Sequence, residues 1–521
     1  MQTLEKRLSS LAPQVLAGLR RGVEKEGLRT RPDGMLALTA HSAGLGSPLT
    51  HPNVTTDFSE SQLELITNAH PAIKACLDEL TEIHQFVYRN IGDELLWCAS
   101  MPCRLPADDE IPLARYGTSN VAQAKTIYRR GLSYRYGRTM QTISGLHYNF
   151  SLPDAAWPAL QAADGDRGPE RQYRDGAYFA LIRNFRRHSW LLLYLFGASP
   201  AACTSFVEGR KHPLQPLTSG TMYLPHATSL RMGPLGYQSD AQASLAVSYN
   251  CLESYARSLY SALTEPYPQY TAIGITDGTE YRQLSATLLQ IENEFYGTIR
   301  PKRPVRPGER PLHALSERGV EYVEVRCMDL DPYSPIGIKA DTMRFLDVFL
   351  LHCLLHDSPP DTPAEIAANS RNQHRVALRG RESGLRLERG GLEVTLKEWS
   401  EAVLAECAPI ARALDSAHDT NAYGSALAAA GNAITQSSTT PSARVLRDMA
   451  SAHEDSYLEF TRSQSARHRE YLKALPWDAA LNAKYERLAA ASREEQRAIE
   501  AADSMSFEAY RRQYLALDLL S

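Results

Sequence analysis

The stretch Gly22-Val-Glu-Lys-Glu-Gly-Leu28 decides how this chain is read. Glu24 and Glu26 stand two residues apart, so on a β-strand both carboxylates leave the same face. Held that close they repel, and a proton or a cation must relieve them. A hard divalent metal with oxygen ligands does so. A solvated strand face or the first turn of a helix are the alternatives, and the segment by itself leaves them open.

Three further segments show the same two-residue alternation. Gln62-Leu-Glu-Leu-Ile66 sets Glu64 apart from Leu63 and Leu65. Residues 141–151 place His147 and Asn149 opposite Leu146, Tyr148 and Phe150. Residues 320–328 put Val323, Val325 and Cys327 on one face and Tyr322, Glu324 and Arg326 on the other. Taken alone, His147 reads more readily as a hydrogen-bonded core histidine than as a ligand. Taken together, several carboxylates, one imidazole and one guanidinium on neighbouring strands suit Mg²⁺-bound nucleotide phosphates, with Arg326 stabilising a transferred phosphoryl group. No glycine-rich phosphate loop is present, so metals rather than a backbone cradle would hold the nucleotide.

Helical spacing appears around these strands. Residues 71–97 carry Ile73, Cys76, Leu77, Leu80, Ile83 and Val87 on one stripe, with Pro71 suited to the first helical position. A second helical region over 170–196 stops at Gly197. Residues 300–311 contain four prolines and read as an irregular basic loop. Beyond 356, Ala, Glu, Arg and Leu dominate. The expected organisation is one α+β body over 1–521, with a sheet-bearing core over 15–350 and a mainly helical C-terminal part over 356–521 packed on it.

Composition narrows the function classes. The 521 residues carry 56 Lys and Arg against 60 Asp and Glu, a net charge of −4, which disfavours a nucleic-acid binder. With 43% apolar and 22% charged residues the chain is globular rather than disordered. Its apolar runs fall well short of the ~20 residues of a membrane helix, and the N-terminus lacks the apolar segment of an export signal. Eight cysteines without paired metal spacing read as reduced core thiols. The expectation is a cytoplasmic protein without membrane or nucleic-acid partners, as a monomer or small oligomer.

Eight ordered motifs then bear a resemblance. Arg21-Gly-Val-Glu-Lys-Glu-Gly-Leu-Arg29, the segment Thr55–Thr67, Gln141–Ser151, Leu181-Ile-Arg-Asn-Phe185, Tyr194–Pro200, Ser229–Tyr237, Glu292–Arg303 and Val320–Arg326 resemble, in order and spacing, bacterial glutamate-cysteine ligases of the proteobacterial type. The resemblance covers about residues 15–350 and is weaker beyond. It implies a glutamine-synthetase-like fold, in which a curved antiparallel sheet forms an active-site funnel with flanking helices. The implied reaction joins the γ-carboxylate of L-glutamate to the amine of L-cysteine through a γ-glutamyl phosphate, with ATP as co-substrate, giving γ-glutamylcysteine in the first step of glutathione biosynthesis. The length fits the single-function enzyme.

The resemblance also implies roles. Glu24, Glu26, Glu64, His147 and Glu324 match metal-ligand positions for two or three Mg²⁺, with Mn²⁺ as a substitute. Asp57 is a further candidate, although its parity is opposite to that of Glu64 and a bulge or bend between them would be needed for both to serve. Arg326 is the catalytic cation. Arg231, Tyr128, Tyr237 and Tyr296 surround the carboxylate of the cysteine acceptor, and Phe58, Leu132 and Gln141 shape the pocket for its thiol. Gly27, where the resemblance implies a larger residue, would loosen the first strand without removing a ligand. Competing readings use parts of this set. A ligase for glutamate and another amine would alter Arg231, Tyr237 or Tyr296; a non-catalytic metal- or nucleotide-binding regulator would have lost a charged position; a metal-dependent hydrolase would need no acceptor pocket.

Overall fold

The computed structural model describes residues 2–236, 241, 245, 247–306 and 308–516. Gly22–Leu28 lies inside an eleven-residue strand, β1 (Arg20–Thr30). The other strands of its sheet are β2 (Val54–Thr56), β3 (Gln62–Ile66), β4 (Leu95–Leu96), β5 (Leu146–Ser151), β6 (Ile299–Lys302) and β7 (Tyr322–Met328). They run in the order β6-β7-β5-β1-β3-β2, with β4 paired to the end of β1, and every pairing is antiparallel.

The register separates two faces. Val23 stands opposite Tyr148, which stands opposite Val325, while Leu63 and Leu65 continue the same apolar side on β3. These side chains are all buried in one core with residues of helices α1 (Ile73–Asn90), α2 (Glu170–His188), α3 (Trp190–Phe196) and α4 (Ala340–Leu355). On that side Arg21 projects between sheet and helices and meets Asp347 of α4, Nη2 to Oδ2 at 2.8 Å, with both side chains fully buried. The Tyr148 hydroxyl donates to the same carboxylate at 2.7 Å. C-terminal to α4, the chain is mainly helical; α5 (Leu396–His418) and a helix over Tyr457–Ala474 pack against the core helices.

The structure differs from the sequence reading at several boundaries. The 71–97 helix begins at Ile73 and ends at Asn90, because Gly92 takes a positive φ and the chain turns into β4. Residues 140–142 form a short 3-10 turn, so the strand expected from 141 starts only at Leu146. The 170–196 region is helical but breaks at Ser189. Gly27 pairs regularly with Leu63, so its lack of a side chain does not disturb β1. On β7 the register shifts after Val325, and Met328 rather than Cys327 stands opposite Leu146.

The largest difference lies in the proline-rich run, whose first residues are the edge strand β6. Arg326 N–H donates to Thr298 O at 2.8 Å, and the two-residue alternation then turns the backbone of Arg300 toward β7 and the nitrogen of Pro301 outward. Proline lacks only an N–H that no strand would have used.

Candidate active site

The polar face of the sheet gathers the charged residues. Glu26 stands directly opposite Glu64 across β1 and β3, and Glu24 opposite His147 across β1 and β5. Glu324 of β7 faces Asn149 of β5, which brings it into the same cluster. His147 lies at the centre. Its Nδ1 is 3.4 Å from Glu24 Oε2 and 3.4 Å from Glu324 Oε1, and its Nε2 is 3.5 Å from Glu26 Oε1. Ligand atoms of Glu24, Glu64 and His147 all fall within 4.8 Å of one another. Two neutral donors hold the carboxylates in place: Asn149 Nδ2 donates to Glu24 at 2.8 Å and Gly145 N–H to Glu26 at 2.6 Å.

So many acids in one buried place cannot all stay ionised. Burial, then Asp57, pushes the Glu26 carboxyl up to about 8. Burial together with Glu24, Asp57, Glu26 and Glu324 holds Glu64 well above its ordinary range. Burial opposes ionisation of Glu324 too, but Arg326, Lys302 and His147 overcome it and hold that carboxyl well below. Burial and the nearby Arg326 charge hold the His147 imidazole low, in the neutral form that can donate a lone pair. Oxygen-rich, partly protonated and centred on a neutral imidazole, this donor set fits a hard divalent cation.

Asp57 joins the cluster through a bend in the chain rather than a bulge. Thr55 stands opposite Glu64, and Asp57, two residues on, keeps the parity of Thr55. Of the two devices that its parity called for, a bulge or a bend, the chain uses the bend, because a turn separates β2 from β3. Asp57 is anchored through its backbone carbonyl, which accepts from Tyr116 Oη at 3.2 Å and from Arg129 Nε.

Cations flank the acids on the β6–β7 side. Arg326 Nη1 is 2.9 Å from Glu324 Oε1, and Lys302 Nζ is 3.3 Å from Glu324 Oε2. Arg300, buried and directly opposite Glu324, stands on the same face. Burial disfavours the charge on Arg326, yet Glu324, Glu26 and Glu24 outweigh it and hold the guanidinium firmly protonated. Lys302 and Arg300 are site-facing residues that the sequence reading did not single out, and Asn149 is one that it set on the face of His147 without a role. The signal was there for the first two: with residues 299–302 taken as an edge strand, the alternation places both beside Glu324.

The residues assigned to the acceptor form two groups. Arg231 is buried, and its Nη2 donates to the backbone carbonyl of Arg326 at 2.8 Å. Gly145 makes this possible, because a side chain there would occupy the position of the Arg231 guanidinium. The second group surrounds a helix over Asn120–Tyr136 that carries Tyr128 and, one turn on, Leu132. Gln141 Nε2 donates to Tyr296 Oη at 3.3 Å. A buried ion pair at 2.8 Å between Arg135 and Glu294 ties the Tyr296 loop to this helix, and Gln290 Nε2 donates to Tyr128 O at 3.2 Å. Phe58 is buried next to Asp57 in the chain. Tyr237 lies outside the described residues.

Comparison with known proteins agrees with this geometry. A family model described as glutamate-cysteine ligase matches residues 5–376. A glutamate–cysteine ligase of Alcanivorax borkumensis is 47% identical over 99% of this chain and 99% of its own length, so the likeness runs well past residue 350. One from Pseudomonas fluorescens is 48% identical over 95% of this chain and 93% of its own length. Among solved structures, the glutamate–cysteine ligase of Francisella tularensis in complex with AMP has a TM-score of 0.91 at 34% identity, covering 97% of this chain and 99% of that one. A bifunctional glutathione synthetase from Pasteurella multocida has a TM-score of 0.69 at 26% identity, and the match takes in 90% of this chain but 54% of that one. With its carboxylate-lined antiparallel sheet and its full-length relatives, the chain belongs to the glutamate-cysteine ligase family.

Proposed function

We propose that this site joins the γ-carboxylate of L-glutamate to the amine of L-cysteine with the cleavage of ATP to ADP and phosphate. The observation that carries the reading is the pairing of Glu24, Glu26, Glu64, His147 and Glu324 with Arg326 on one sheet face. Glu24, Glu26, Asp57, Glu64, His147 and Glu324 would hold Mg²⁺, or Mn²⁺ in its place. When bound, the ions supply the positive charge that lets a polyphosphate approach a carboxylate.

The protein's own groups supply the rest. A γ-carboxylate oxygen of glutamate attacks the γ-phosphorus of ATP, the bond to ADP breaks, and an acyl phosphate forms. Arg326, pinned by Glu324, keeps its free guanidinium edge for the oxygens of the transferred group. The cysteine amine then attacks the acyl carbon, phosphate departs with the bonding pair, and the nitrogen loses a proton. Arg231 pairs with the acceptor carboxylate, while Tyr128, Gln141 and Tyr296 enclose the amino acid and Phe58 and Leu132 border its side chain; Tyr237 belongs to the same set by resemblance. Because Arg231 is held by the backbone of Arg326, the acceptor is registered against the phosphoryl-transfer site.

Phosphate release from ATP should require Mg²⁺, glutamate and cysteine together. Equal release in the absence of both amino acids would sink the ligase reading. The Arg231 assignment makes a separate expectation: Arg231→Ala raises the KM for cysteine at least tenfold more than the KM for glutamate, in keeping with the loss of a charge-assisted hydrogen bond of about 1.5–3 kcal/mol. Equal increases for both substrates would remove Arg231 from the acceptor pocket.

A further inference from the structure

Far along the chain from these strands, three side chains with metal-ligand chemistry converge where α4 ends. His352 lies in the last turn of α4, His356 follows one turn later as its cap residue, and Glu406 reaches across from α5. His352 Nε2 is 2.8 Å from Glu406 Oε2, and His356 Nε2 is 3.8 Å from the same oxygen. Ligand atoms of all three lie within 4.8 Å of one another. His356 Nδ1 is 3.2 Å from the carbonyl of Asp357. A carbonyl only accepts, so the His356 proton sits on Nδ1 and the Nε2 lone pair is free to bind.

A second observation comes from the opposite edge of the His352 ring. This residue is fully buried, and its Nδ1 has no hydrogen-bond partner. With Nε2 on Glu406 and no partner on Nδ1, nothing locks the ring in one tautomer, so its proton can move to Nδ1 when a cation takes Nε2. His188 stands beside it, ring centres 5.6 Å apart, and also has a buried Nδ1 without a partner.

We propose that His352, His356 and Glu406 form a site for a Zn²⁺-class divalent ion, separate from the carboxylate cluster of the sheet, that staples α4 to α5. Two imidazole nitrogens against one carboxylate oxygen suit a borderline transition ion, whereas Mg²⁺ takes sites in which oxygen donors predominate, as on the sheet. The ion takes the place of the hydrogen that His352 Nε2 donates to Glu406, and the ring carries that hydrogen on Nδ1 instead, so it stays neutral. His356 and Glu406 are partly exposed, which leaves an approach for the ion and room for water as a fourth ligand. The carbonyl end of α4 favours a cation. Arg389, whose charge reaches Glu406 from over the Trp399 ring, opposes it.

The test is titration of Co²⁺ into the full-length protein in saturating Mg²⁺, followed by visible absorption and by calorimetry. The wild type should take up one Co²⁺ that Zn²⁺ displaces. His356→Ala and Glu406→Gln should each weaken that equivalent at least tenfold, while Glu24→Gln leaves it in place. Zn²⁺ should raise the Tm of the wild type but of neither variant. Wild-type affinity in both variants, or a single Co²⁺ equivalent that Glu24→Gln abolishes, would overturn the proposal.

Discussion

Arg326→Ala turns over at least two orders of magnitude more slowly than the wild type at saturating ATP, glutamate and cysteine, a loss of about 3 kcal/mol of transition-state stabilisation. The magnitude follows from where the guanidinium sits. One edge is fixed on Glu324 at 2.9 Å, so the charge reaches the reacting phosphoryl group already oriented and largely shielded from water. Arg300 and Lys302 remain nearby, but Arg300 is bound to the carbonyls of Asn293 and Phe295, and Lys302 is committed to Glu324. Neither replaces a planar fork. Arg326→Lys should therefore recover only part of the rate, because it restores charge without paired donors. Steady-state ADP release gives the measurement, and an unchanged Tm separates chemistry from misfolding. An alanine variant within threefold of wild-type turnover would remove Arg326 from the mechanism.

Arg21→Met is expected to have the largest effect on stability, a loss of about 3–5 kcal/mol. Arg21 and Asp347 are fully buried between the sheet and α4, and removing the cation leaves a carboxylate with no solvent to receive its charge. The Tyr148 hydroxyl donates to Asp347 but brings no positive charge. A buried ion pair costs much of its own attraction in lost hydration, so the pair is worth less than the penalty for breaking it. The double variant Arg21→Met/Asp347→Leu should accordingly regain most of the lost stability. Denaturant midpoints for the three proteins test this, and a single variant as stable as the wild type would show that the interior tolerates the lone carboxylate.

What could be read from the chain depended on whether one residue's neighbours were enough. Glu64, His147 and Glu324 each sit between apolar or aromatic neighbours, and Glu24 and Glu26 stand two apart on either side of Lys25; that alternation survives folding, so the polar face of each strand was legible. Their pairing across strands was not, because register depends on contacts far apart in the chain: Glu26 meets Glu64 and Glu24 meets His147 only once β1 lies between β3 and β5. Parity flagged the conflict at Asp57 but left open whether a bulge or a bend resolves it, and a turn between the two strands does. The proline rule misplaced β6, since it counts a missing N–H as a loss wherever it occurs, and at the rim of a sheet it is none. Arg21 gave no sign of its buried partner, 326 residues away.

That proline has a further consequence, for how copies of this protein behave toward each other. A sheet ending in a long regular strand offers a row of free amides and carbonyls on which another chain can extend it, and this is how many β-proteins begin to aggregate. At one rim here Pro301 interrupts the row, and at the other β2 is three residues long. The molecule can thus keep its charged sheet face for substrates while neither rim of this sheet is long and regular enough for another chain to extend it.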